Sequence, residues 1–145
     1  MEYAMVRNLD SNLVAGVILS ESKFKLEARS HKGAVGLMQL MPKTAKWIAE
    51  QTEDKYFSLE TLNDPEINIR FGTWYLSSLK KEFEGNEVLM LAAYNAGRGN
   101  VKEWMNIYQW DMDFNDIDQI PFVETRKYVK KVLQSKDQYQ RLYAD

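Results

Sequence analysis

The sequence predicts an all-α fold, and three observations carry that reading. Apolar residues recur at steps of three and four along most of the 145-residue chain. Proline and glycine fall where helices would begin and end. No stretch alternates apolar and polar residues for long enough to read as a strand. There is no internal repeat and no linker-like segment, so residues 1–145 read as one domain, long enough to bury a real core.

A short helix is expected over residues 2–8 and a second over 11–21, capped by Asp10 or Ser11, whose side-chain oxygens can accept from the first free amides. A polar, glycine-bearing stretch from Ser22 to Val35 follows. Pro42 opens a helix to about Gln51, its missing N–H harmless in the first turn. Asn63-Asp64-Pro65 reads as a cap with a first-turn proline. The next helix aligns Ile67, Phe71, Trp74, Tyr75, Leu79 and Phe83 on one core-facing side and stops near Glu84-Gly85. Asn86 or Glu87 starts an apolar helix through Tyr94, broken by Asn95-Ala96-Gly97-Arg98-Gly99. Residues 100–108 form a short helix with Val101, Trp104 and Tyr108 inward. An acidic loop spans Asp111 to Gln119, Pro121 leads into a helix over 123–133, and a last turn covers about 137–143.

Composition narrows the chemistry. Apolar content of 45% is ordinary, whereas 12% aromatic residues, with four Trp and eight Tyr, fits either a well-filled core or a groove that stacks flat ligands such as sugar rings. A net charge of -2 gives no nucleic-acid footprint. With no cysteine, disulfides, thiol catalysis and thiolate zinc sites are excluded. One histidine, His31, excludes the H-E-x-x-H zinc motif and argues against a Ser-His-Asp triad. Phosphate-cradling glycine motifs are absent. The loop carrying Asp111, Asp113, Asp116 and Asp118 lacks the glycine and the terminal glutamate of a calcium-binding EF-hand, so no metal and no cofactor are expected. Lys127, Lys130 and Lys131 read as a solvated face. Carboxylates, hydroxyls, amides and tyrosines remain for catalysis.

Glu21 is the distinctive carboxylate. It lies three residues after Ile18, four after Val17 and seven after Val14, on the apolar stripe of its helix and in the last turn. Apolar surroundings penalise a carboxylate, and the unpaired carbonyls of a helix C-terminus repel one. A carboxyl kept protonated near neutral pH is what a general acid requires. Taken alone, the pattern also fits a solvated glutamate at a frayed helix end.

Four islands stand out once the core is subtracted: Glu21-Ser22-Lys23-Phe24 with Ala28-Arg29-Ser30; Gly33-Ala34-Val35-Gly36-Leu37-Met38-Gln39-Leu40-Met41-Pro42 with Thr44-Ala45; Ala93-Tyr94-Asn95-Ala96-Gly97 with Gly99 and Val101; and Pro121-Phe122-Val123-Glu124-Thr125-Arg126-Lys127-Tyr128-Val129. In this order and at these separations they resemble the soluble lytic transglycosylase domain, similar in fold to goose-type lysozyme, over about residues 3–133. One departure, Lys25-Leu26 where many members carry Asn-Pro or a similar pair, touches a loop and no reacting group.

The resemblance implies a lysozyme-like compact helical domain with a substrate cleft. It implies peptidoglycan glycan strands as substrate and cleavage of the β-1,4 bond from N-acetylmuramic acid to N-acetylglucosamine, leaving a 1,6-anhydromuramic end without consuming water. Glu21 matches the family's single catalytic carboxylate, acid and then base, with the substrate's N-acetyl group replacing a second carboxylate. Ser30 would sit near the acetamido group. Gln39 would offer its amide to Glu21 or to the sugar, and Met41 an apolar wall that helps keep Glu21 neutral. Tyr94 would position the acetamido group or the developing cation. Asn95 would bond sugar hydroxyls or hold its loop, and Glu124 and Tyr128 would line the cleft from the opposite side. Structural roles stand beside these: Ser30 and Glu124 as a cap and a charge balance, Gly33, Gly36 and Gly97 as turn residues, and Arg126 as a pair for a carboxylate.

Two alternatives stay open on the sequence. A lysozyme of the same fold would need a second carboxylate, from the acidic loop or Glu124, about 6.5–9.5 Å from Glu21 to hold a water. An inactive glycan-binding helical module of a secretion machine would need no acid. No secretory signal or membrane span is read. The opening Met1-Glu2-Tyr3-Ala4-Met5-Val6 resembles the middle of a helix. A single catalytic domain, monomeric and trimmed from a longer extracytoplasmic protein of the bacterial cell envelope, is therefore expected, its anchor in a segment preceding residue 1. An intact cytoplasmic or lysis-released protein would read the same.

Overall fold

A computed structural model describes residues 2–143. It contains seven α-helices among these residues: α1 Glu2–Val6, α2 Ser11–Ser22, α3 Pro42–Gln51, α4 Pro65–Glu82, α5 Glu87–Ala96, α6 Arg98–Tyr108 and α7 Val123–Tyr143. Two 3-10 turns, Leu59–Asn63 and Ile117–Gln119, fall between them. Extended pairing among the described residues is confined to two isolated antiparallel bridges, Arg29 to Val35 and Val35 to Leu40.

Local chemistry sets the helix starts. The Asp10 side chain accepts from the Asn12 amide at 2.8 Å, the Asp64 side chain from Glu66 at 2.9 Å, and the Asn86 side chain from Leu89 at 3.1 Å. Asp10 therefore caps α2, and Asn86 caps α5. Asn86 also donates to the carbonyls of Met112 and Phe114 at 2.8 and 2.7 Å, fastening the acidic loop to α5. Pro42 and Pro65 occupy first turns as expected.

The core gathers α2, α4, α5 and α7 around Leu13, Ile18, Met38, Leu76, Leu79, Phe83, Leu89, Met90 and Leu91, all essentially inaccessible to water. Val14, Val17 and Ile18 are buried, so the stripe on α2 faces inward as its spacing requires. Gly16, on the same helix, lies against the backbone of α7. A Cβ there would stand 3.0 Å from the Val132 carbonyl oxygen and 3.3 Å from the Lys136 amide, so only glycine permits this approach without a shift.

Several expectations are corrected: α1 ends at Val6 rather than at residue 8, and Tyr108, expected inward, is exposed. α6 begins at Arg98 rather than at residue 100, because Gly97 (φ 95°) alone turns the chain; Asn95 and Ala96 belong to the last turn of α5. α7 runs unbroken through residues 134–136, where polarity suggested a gap. Ser135 is buried there, and Lys136 reaches Glu87 at 2.7 Å and Asp10 at 3.7 Å. The buried Ser135 and the paired Lys136 continue a helix that composition alone would end. The 3-10 turn at Leu59–Asn63 was not foreseen either.

The acidic loop is an aromatic packing unit. Trp110 stacks on Phe114 at 3.8 Å and on Tyr108 at 5.7 Å. Asp118 pairs with Lys130 at 2.6 Å, and Arg126 reaches the Asp118 carbonyl at 3.5 Å rather than a carboxylate. No helix among the described residues is long and apolar enough to cross a membrane.

Candidate functional site

Glu21 occupies the penultimate position of α2, with no basic residue in that last turn to balance the helix's C-terminal carbonyls. The helix stops because Lys23 (φ 54°) and Phe24 (φ 62°) both turn left-handed, an unusual pair of non-glycine residues. The Ser22 hydroxyl donates to the Ile18 carbonyl, and the Lys23 amide to the Leu19 carbonyl. The Glu21 carboxyl is largely withdrawn from water, and its pKa is pushed up from 4.5 to about 8. Burial is the main cause; the nearby Glu124 carboxylate adds to it, and the Tyr128 hydroxyl opposes it by favouring the charged form. A glutamate on this footing carries its proton at neutral pH.

Two tyrosines enclose the carboxyl. Tyr128 projects from α7, and burial, with the Glu21 charge second, drives its phenol far above the usual range. Its hydroxyl is buried and meets no protein atom with full hydrogen-bond geometry, so it faces Glu21 with hydrogen-bonding capacity to spare. Tyr94, from the last turn of α5, is raised for the same two reasons, burial first. Its hydroxyl donates to the Met38 carbonyl at 2.7 Å, which leaves it able to accept. Tyr94 also packs its ring 5.5 Å from Tyr75.

A hollow of about 230 Å³ opens beside Tyr94, lined in part by Gln39, Met41, Thr44, Tyr75 and Asn95. It continues into a wider depression of about 580 Å³ that shares Thr44, Tyr75 and Gly97 and adds Lys43, Trp47 and Arg98. Gln39 sits at φ 48°, and its amide nitrogen donates to the carbonyls of Ala28 and Gly36 at 2.9 and 2.8 Å. Both donors therefore hold the loop, and only the amide oxygen remains for a ligand. Met41, 40% exposed, stands at the N-cap of α3 on the hollow's rim. The Asn95 side-chain oxygen accepts from the buried Thr125 hydroxyl at 2.7 Å, joining α5 to the first turn of α7 and leaving its NH₂ free to donate.

The sequence-derived residues thus fall into three groups. Tyr94, Tyr128 and Glu124 surround the Glu21 carboxyl; Gln39, Met41, Tyr94 and Asn95 line the hollow beside Tyr94. Ser30 belongs to neither. Its hydroxyl accepts from the Ala34 amide at 2.9 Å and closes the turn over residues 30–34, where it caps no helix. The aspartates of the acidic loop do not weigh on Glu21, whereas the exposed Glu124 does.

Sequence reasoning missed Asn68. Wholly buried on α4, it accepts from the Met38 amide at 2.9 Å and donates to the carbonyls of Val35 and Leu62 at 2.9 and 3.1 Å. Gly36 (φ 81°) leaves the space Asn68 fills, since a Cβ there would collide with its amide. The Met38 peptide is thereby held by Asn68 on one side and Tyr94 on the other. The only sequence signal was a polar residue at helical spacing within an apolar face.

Comparison with known proteins accords with this arrangement. The sequence model of the family described as the transglycosylase SLT domain matches residues 1–117. The soluble lytic murein transglycosylase of Escherichia coli K12 is 36% identical over 143 residues, covering 97% of this chain and 22% of that protein. A putative soluble lytic murein transglycosylase of Haemophilus influenzae is 35% identical over 136 residues, covering 93% and 23%. Among solved structures, an inactive variant of the Pseudomonas aeruginosa lytic transglycosylase Slt superposes with TM-score 0.85 at 39% identity, covering 97% of this chain and 23% of that one. The 70 kDa soluble lytic transglycosylase of Escherichia coli superposes with TM-score 0.89 at 33% identity, covering 99% and 24%. The chain spans about a fifth to a quarter of the length of these relatives.

Proposed function

The chain belongs to the transglycosylase SLT domain family, and on that premise we propose that it is a lytic transglycosylase domain acting on peptidoglycan glycan strands. It cleaves the β-1,4 bond from N-acetylmuramic acid to N-acetylglucosamine. The observation that carries this reading is the Glu21 carboxyl, kept protonated to about pH 8 by burial at a helix C-terminus. Neutral Glu21 gives its proton to the glycosidic oxygen as the bond to C1 breaks, and the substrate's acetamido oxygen closes on C1. The resulting Glu21 carboxylate takes the proton of the C6 hydroxyl, whose oxygen displaces the acetamido group. A 1,6-anhydro end forms and no water is consumed. The free acceptor of Tyr94, the Asn95 amide and the Gln39 oxygen hold the sugars beside the acid.

A lysozyme reading rests on Glu124, the one carboxylate that acts on Glu21. It would have to hold a water on the sugar's far face. Mass spectrometry of digested wall sacculi separates the two, since anhydro ends support the transglycosylase and reducing ends the hydrolase. A domain that bound glycan but released neither product, in the wild type as in Glu21→Gln, would be a binding module instead. The domain works as a monomer in the bacterial cell envelope, outside the cytoplasm, where the substrate lies.

A further inference from the structure

Away from Glu21, a second hollow of about 490 Å³ lies where the turn after α1 and the end of α3 meet the outer face of α4. It shares no lining residue with the hollow beside Tyr94. Arg7 and Arg70 both face it, with Lys55, Tyr56 and Trp74 along its wall and two carboxylates, Glu53 and Asp54, among its lining. Arg70 has a partner, Asp54, at 3.1 Å. Arg7 has none. Its Nε is buried without a hydrogen-bond acceptor, and among the described residues no carboxylate comes within ion-pair distance of it. Burial first, and the neighbouring Arg70 cation second, weaken the hold of Arg7 on its own proton.

The segment bearing Arg7 is fixed in place. Its amide donates to the Tyr3 carbonyl at 3.0 Å, the Lys80 ammonium donates to the Asn8 carbonyl at 2.7 Å, and the Tyr3 hydroxyl donates to Glu66 at 3.0 Å. Both ends of the turn are thus tied to α4. A half-buried guanidinium with an unmet donor, held beside a second guanidinium, is unfavourable on its own. An oxyanion beside Arg7 removes both penalties, since it accepts from the unmet donor and balances the one guanidinium that Asp54 leaves uncompensated, and the planar fork of arginine suits carboxylate and phosphate alike. The hollow is larger than one such group, and Trp74 together with Tyr56, 94% exposed, offers flat apolar surface to the rest of a ligand.

We propose that Arg7 and Arg70 form a second, non-catalytic binding site that takes the oxyanion, carboxylate or phosphate, of a larger ligand. The test is thermal melting and calorimetric titration with sodium phosphate and with sodium N-acetylglutamate, each against sodium chloride at matched ionic strength. At least one of the two is expected to raise Tm beyond chloride, and the tighter binder tells whether phosphate or peptide carboxylate is the source. Arg7→Met is expected to bind that anion about tenfold more weakly or worse. The same variant should melt no lower than wild type in chloride, since it sheds an unmet donor and a like-charge contact. If Arg7→Met does not fold, Arg7→Lys, which keeps the charge but not the fork, is expected to lose the preference for oxyanions over chloride. Indifference of the wild type to both anions, or full retention of the shift in the folded Arg7 variant, overturns the proposal.

Discussion

α2 carries an acidic residue at each end, and the fold treats the two in opposite ways. Asp10 sits where the helix dipole favours a negative charge; it accepts from the Asn12 amide and lies 3.7 Å from the Lys136 ammonium. Glu21 sits eleven residues further on, where the dipole, burial and Glu124 all disfavour charge, and only the Tyr128 hydroxyl resists them. The same functional group therefore stabilises the helix at one end and is stored as a neutral acid at the other. The difference comes from position along one twelve-residue helix, not from any special residue type.

The largest effect belongs to the second end. Replacing Glu21 by Gln keeps shape and neutrality but removes the transferable proton, so release of anhydro products should fall by about 10²–10⁴-fold. The fold should not suffer, and the pH dependence of stability shows why. Because the folded-state pKa of Glu21, about 8, exceeds its ordinary 4.5, the stability linked to its proton is complete below pH 4.5 and is lost as pH rises through about 8. Melting curves from pH 4 to 9 should therefore decline more steeply for wild type than for Glu21→Gln, with the variant the more stable above pH 8. A Gln variant less stable than wild type at pH 9 would mean that the carboxyl is not buried as a neutral acid.

The two ends also differ in what supports them. The Asp10 end is capped by its own side chain and touched by Lys136, whereas Glu21 is followed by residues 23–41, a long connection tied to α4 through Asn68. Asn68→Leu would leave the Met38 amide and the Leu62 carbonyl buried without partners, and the Val35 carbonyl with the Leu40 amide alone, at about 3 kcal/mol. Activity should fall as well, because Tyr94 and Gln39 take their geometry from this loop. Denaturant unfolding with hydrogen exchange should show protection lost around Met38 and kept around Leu13. Uniform loss across both ends of α2 would erase the asymmetry.

Asymmetry of this kind was legible in the sequence only where a residue's surroundings are its own helix. Glu21 could be read because Val14, Val17 and Ile18 fix the inward face of α2 by spacing alone. Asp10, Asp64 and Asn86 could be read because a cap bonds amides two or three residues away. Asn68 and Gly16 could not, since one answers to backbone 30 residues distant and the other to the approach of α7. The continuity of α7 was hidden for the same reason: Lys136 finds Glu87 and Asp10 only after folding. In the proposed site the division of labour was not legible, because nothing local tells that Ser30 and the Gln39 amide nitrogen brace the loop.

At the other end of α2, Asp10→Ala should cost about 1 kcal/mol through the lost cap and a weakened contact with Lys136, with wall-cleaving activity unchanged. Urea midpoints measured beside activity check this. A loss of activity matching the loss of stability would show the two ends to be coupled after all.

The finest test acts on Glu21 without touching it. Glu124 raises the Glu21 pKa and Tyr128 lowers it, so their removal should move the alkaline limit of activity in opposite directions. Glu124→Gln relieves a like charge, allows Glu21 to ionise earlier and shifts that limit to lower pH. Tyr128→Phe withdraws a hydroxyl that favours the carboxylate and shifts the limit to higher pH. Each shift should stay within about one pH unit, since burial is the larger cause and neither variant alters it much. Turnover of soluble glycan fragments, followed from pH 5 to 10, reads both limits directly. Movement of both in the same direction would show that the variants change the burial of Glu21 rather than the charge and hydrogen bond beside it. The contrast with Asp10 would then rest on the apolar wall alone.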